Sequence, residues 1–70
     1  MLDVNKLKGK MIEKGFNAKT LSAELHINIT TFYRKMNNNS FEIREADRIV
    51  DILSLSGKEA KDIFFATDVA

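Results

Sequence analysis

Cysteine is absent from the chain, so no disulfide and no thiolate metal site can be built, and nothing ties the protein to an oxidising compartment. Proline is also absent and only three glycines occur, so few positions interrupt a helix. No apolar run approaches the length of a membrane span, and the first ten residues, MLDVNKLKGK, lack a hydrophobic signal core. The single histidine, His26, has no cysteine to join it, which argues against a metal centre or a nucleophile–base pair, and no glycine-rich phosphate loop is present. The expectation is one all-helical domain over residues 1–70, cytoplasmic, needing no cofactor and no metal, and acting as a binding module and not an enzyme. At 70 residues it lies near the lower size at which one core suffices without staples.

Charge is nearly balanced at +1, but it is unevenly spread. Residues 1–40 hold seven bases (Lys6, Lys8, Lys10, Lys14, Lys19, Arg34, Lys35) against three acids, and residues 41–70 hold four bases against seven acids. The basic half could face a polyanion. Most of the individual lysines read better as ordinary solvated surface.

Five helices can be drawn from periodicity and caps. Asp3 can cap a first helix whose apolar stripe is Val4, Leu7, Met11 and Ile12, ended by Gly15 with Phe16 folding back. Asn17 caps a second helix that carries Leu21 and Leu25 on one face, with Ser22 beside them as a small residue allowing close approach. The pattern breaks at His26. Asn28 is a good N-cap for a third helix beginning at Ile29 and burying Phe32 and Met36. The polar run Asn37, Asn38, Asn39, Ser40 reads as a turn. Phe41 and Ile43 should return to the core, with Ile43, Ala46, Ile49, Val50 and Leu53 as the stripe of a fourth helix and Leu55 packed in the following connection. Ser56 and Glu59 have capping-box spacing, opening a fifth helix through Ala60, Ile63 and Phe64. The carboxylates read as exposed groups paired at the surface.

Two short helices joined by a turn of about three residues make a helix-turn-helix. A plain helical hairpin in a small bundle would show the same spacing. The side of the third helix opposite Phe32 and Met36 carries Ile29, Thr30, Tyr33, Arg34 and Asn37. These are the groups that read base edges in a major groove: guanidinium to guanine, amide to adenine, hydroxyl to several acceptors, apolar surface to the thymine methyl. Asn17, Lys19 and Asn38 are candidate phosphate contacts, the first two at the start of the second helix and the third in the loop that follows the third.

On these residues the chain resembles the helix-turn-helix of the lambda repressor and Cro family, above all the small Cro-like regulators of temperate phages, many of which show a run similar to TFYRK at residues 31–35. Ala18, Ser22, His26, Ile27 and Phe32 match the family's positions for phosphate contact, small packing residue, turn and buried apolar residues. Asn28, Ile29, Thr30, Tyr33 and Arg34 match its base-contacting positions. Two departures stand out. Ala18 replaces a common glutamine, and His26 replaces the usual glycine at a turn position that needs a positive φ, at about 1 kcal/mol. The resemblance implies a compact five-helix lambda-repressor-like fold and a sequence-specific transcriptional regulator, a repressor that binds double-stranded operator DNA as a homodimer. Ile63, Phe64 and Phe65, similar to the IFF segment that ends related phage proteins, are the expected dimer interface, because three adjacent large apolar residues exceed what one buried helix face absorbs. The alternative is a modulator that uses the same scaffold to dock a larger repressor protein, with Ile29 and Tyr33 as its apolar contacts.

Overall fold

The computed structural model describes residues 1–66. These form α1 (Val4–Glu13), α2 (Ala18–Glu24), α3 (Ile29–Asn37), α4 (Ile43–Ile52) and α5 (Gly57–Phe64), with no strand among the described residues. The all-helical expectation holds, with the helix starts where the caps place them. Asp3 accepts from the Lys6 N–H, Asn17 from Thr20, Asn28 from Thr30 and Ser56 from Glu59, each filling an otherwise unpaired donor of a first helical turn.

Four of the helices end by one device. A residue in the left-handed region follows each C-cap: Gly15 (φ 80°), His26 (58°), Asn39 (54°) and Ser54 (51°). The next N–H then reaches back to the helix, Phe16 to the Met11 carbonyl (2.7 Å), Ile27 to Ser22 (3.1 Å), Ser40 to Lys35 (2.9 Å) and Leu55 to Val50 (3.0 Å). This is the Schellman arrangement, and it turns the chain sharply enough for Phe16, Ile27 and Leu55 to re-enter the interior. Glycine occupies only one of the four positions.

Phe32, Leu7, Leu21, Met36, Ile49, Leu53 and Ile63 form the fully enclosed centre, with α2 packed on α3 and α1 on α5. Phe41 stacks on Phe32 with ring centroids 5.6 Å apart. A strap closes the assembly: the Asp3 N–H donates to the Ile63 carbonyl (2.7 Å), the Ala66 N–H to Met1 (2.9 Å) and the Leu2 N–H to Asn39 Oδ1 (2.9 Å). Leu2 is thereby buried.

Several expectations are corrected. Ile12 is exposed, because it lies about 100° around α1 from Met11, and the line facing the core is Leu7–Met11. Ile43 is 91% exposed and not part of the core. The buried line of α4 is Glu45, Ile49 and Leu53, and Ile43 stands about 120° around the helix from Ile49. Glu45 is therefore not an exposed carboxylate. Asn37 closes α3 and does not begin the loop, and Ile63 is only 2% exposed within the single chain.

Candidate nucleic-acid interface

The surface in question is the outer side of α3 together with the start of α2. Two buried anchors, Phe32 and Met36, fix the rotation of α3 about its axis, and the turn through His26 sets its angle to α2. Ile29, Thr30, Tyr33, Arg34 and Asn37 are brought together on the exposed side, with Asn38 at the C-cap. Tyr33 lies edge-on to Phe32 with centroids 6.2 Å apart, so its ring is seated while the residue remains exposed. The Arg34 guanidinium has no carboxylate partner among the described residues.

The two capping asparagines are less free than the sequence suggests. Asn17 Oδ1 accepts from Thr20 N–H (2.8 Å), and Asn28 Oδ1 from Thr30 N–H (2.7 Å). Each retains its –NH₂ for an outside acceptor, whereas bidentate adenine recognition also requires the oxygen. Asn37 and Asn38 show no such internal engagement among the described residues.

The basic half of the chain is partly neutralised. Lys10 contacts Glu59 and lies 3.2 Å from Glu13, Lys14 lies 3.9 Å from Glu13, and Lys35 lies 2.8 Å from Glu45. Lys6, Lys8, Lys19 and Arg34 remain without a carboxylate among the described residues. Of these, Lys19 stands on α2 and Arg34 on α3, and both are cations the sequence singles out.

The Lys35–Glu45 pair was not legible as such. Both oxygens of Glu45 lie 2.8 Å from Lys35 Nζ, and Glu45 Oε1 also accepts from the Glu42 N–H at 2.9 Å. Burial works to raise the Glu45 carboxyl, but Lys35 and the Glu42 N–H outweigh it and hold it below the ordinary carboxylate range. On α1 and α5, the Lys10 ammonium and then the Ser56 N–H push Glu59 down to about 2. Arg48, on α4, donates to the Glu24 carbonyl at 3.0 Å and so satisfies an acceptor at the end of α2.

A second surface lies beside the end of α3. Leu2, Phe41, Ala46, Val50, Ala60 and Phe64 line an apolar groove of about 360 Å³ with Asn39 and Asp47 at its edge. Ile43 and Phe65 flank it and project into solvent, Phe65 being 71% exposed. The three residues expected at an interface differ in exposure, and Ile43 stands uncovered beside them. Ile63 faces the core, Phe64 is half-buried, and Phe65 is exposed, as is Ile43 on α4. Among the described residues no three His, Cys, Asp or Glu side chains converge as a metal site would require, and no helix is long and apolar enough to cross a membrane.

Comparison with protein-family models, curated proteins and solved structures yields no match.

Proposed function

We propose that this protein is a sequence-specific DNA-binding regulator of the Cro-like type, a binding module and not an enzyme, in which α2 and α3 act as a helix-turn-helix and α3 enters the major groove of operator DNA. The observation that carries this reading is the division of α3. Phe32 and Met36 are enclosed, while Ile29, Thr30, Tyr33, Arg34 and Asn37 share the exposed side with chemistry suited to base edges. Lys19 is exposed at the start of α2, which supports reading it as a phosphate contact. The protein would act as a homodimer in the cytoplasm, since one module of this size covers too little DNA for useful specificity. Ile43 and Phe65 are the side chains offered to a second copy.

The exposure of Ile29 (38%) and Tyr33 (46%) supports a second reading, in which the same face docks a larger repressor protein. A gel shift on DNA flanking the protein's own gene, repeated with scrambled duplex across a salt series, separates the two. Preference for a flanking site that is lost in Arg34→Ala is the expected result. No preference for any flanking DNA, with Ile29→Ala and Tyr33→Ala abolishing capture of a larger repressor, would replace the first reading by the second.

A further inference from the structure

Lys35 lies on α3, one residue beyond Arg34, yet its ammonium points away from the exposed side and into a carboxylate. Nζ is 2.8 Å from both oxygens of Glu45, and the two side chains are only 19% and 11% exposed. Glu45 is fixed independently, since its Oε1 accepts from the Glu42 N–H in the first turn of α4. A cation so held is screened from other anions at short range, and a carboxylate kept ionised by two donors gives it no reason to leave. Lys35 sits about 100° around α3 from Arg34, on the flank that borders the exposed side. Its long stem would let a released ammonium swing toward a polyanion lying along α3.

We propose that Glu45 masks Lys35 from the nucleic-acid backbone, so that Arg34 is the one cation α3 offers to DNA, and the balance between backbone attraction and base reading is set from α4. This rests on the DNA-binding reading of α3. Backbone attraction raises affinity for every sequence alike, whereas discrimination resides in base contacts. Withholding one of two adjacent cations lowers the common term without touching the groups that discriminate. Glu45 accordingly sets the sequence-independent share of DNA affinity without touching DNA.

The test uses the intact protein and a random-sequence duplex, with affinity measured across a salt series. Glutamine can still accept from the Glu42 N–H but carries no charge, so Glu45→Gln should free Lys35 and steepen the slope of log affinity against log salt by about one unit. Affinity for operator and for random duplex should rise by the same factor in this variant, leaving the preference between them unchanged. Lys35→Met in the Glu45→Gln background should restore the parent slope. An unchanged slope in a folded Glu45→Gln protein overturns the masking. Should Glu45→Gln fail to fold, Lys35→Met alone decides: a slope equal to the parent's supports masking, and one shallower by about a unit shows that Lys35 already reaches phosphate. A parent protein that binds no duplex at the lowest salt sinks the DNA reading and the masking with it, whereas a parent that binds leaves only the masking in question.

Discussion

Asn39 and Leu2 meet across 37 residues, the Asn39 carboxamide oxygen accepting from the Leu2 N–H at 2.9 Å while the Asn39 backbone holds the left-handed turn that ends α3. One residue thus ends a helix and anchors the start of the chain. The other non-glycine turns lack this second duty, since neither the His26 nor the Ser54 side chain makes a hydrogen bond among the described residues.

Glycine should therefore act oppositely at these positions. His26→Gly and Ser54→Gly remove left-handed strain and should each stabilise by about 0.5 to 1 kcal/mol, after allowance for the greater unfolded-state freedom of glycine. Asn39→Gly removes the same strain but orphans the Leu2 N–H, a loss of about 1 to 3 kcal/mol, so it should destabilise on balance. Urea midpoints of the three variants check the signs. Equal shifts in all three would show that the Asn39–Leu2 bond contributes nothing.

Acid should weaken the fold through two carboxylates. Glu59 is held at about 2 against an ordinary 4.5, and Glu45 is lowered as well. A depressed folded-state pKa contributes stability above the unfolded value that is lost as pH falls through the folded one. The urea midpoint should accordingly decline from about pH 4.5 down toward pH 2. Glu59→Gln should flatten that decline, and an unaltered profile in the variant would show that Lys10 does not hold Glu59 in solution.

Arg34→Ala and Lys19→Ala should differ in kind on DNA. Loss of a bidentate guanine contact by Arg34 costs about 1 to 3 kcal/mol per half-site and relaxes preference at one base pair. Loss of a phosphate contact by Lys19 weakens all sequences alike and lowers the salt slope by about one unit. Identical behaviour of the two variants across a salt series would remove the distinction between reader and backbone contact.

Self-association should respond to surface and core residues differently. Phe65→Glu and Ile43→Glu should weaken dimerisation with the thermal transition almost unchanged, because both side chains are exposed in the single chain. Ile63→Ala should instead lower stability by about 2 to 5 kcal/mol, since Ile63 is enclosed. Sedimentation and thermal melts read the two effects separately. A parent protein that stays monomeric at high concentration refutes the free dimer.

Much of this architecture is local and therefore readable along the chain. Asp3, Asn17, Asn28 and Ser56 announce their helices because an N-cap bond joins residues only two or three positions apart. Phe32 and Met36, one helical turn apart, define the inner side of α3 and so also its outer side. What escaped depends on partners distant in sequence. Ile43 belongs to an apolar pattern, and only the packing of α4 shows its side uncovered. Glu45 resembles every other surface acid until α3 brings Lys35 alongside, and nothing near Asn39 indicates Leu2 as its partner. The left-handed turn at His26 was implied by the family resemblance at the break between two helices, whereas Ser54 stands in a stretch whose composition conceals the same turn.

The strap that joins Met1–Asp3 to Ile63–Ala66 and Asn39 also bears on the order in which the molecule takes shape. Bringing together segments some 60 residues apart carries a closure entropy of about 3 to 4 kcal/mol, while the turn between α2 and α3 closes over a handful of residues. Nucleation accordingly belongs to the middle of the chain and sealing to its ends. On warming, the sequence runs in reverse. The seam between the termini should part first, uncovering Leu2 and Ile63, with the α2–α3 hairpin the last region to lose its form.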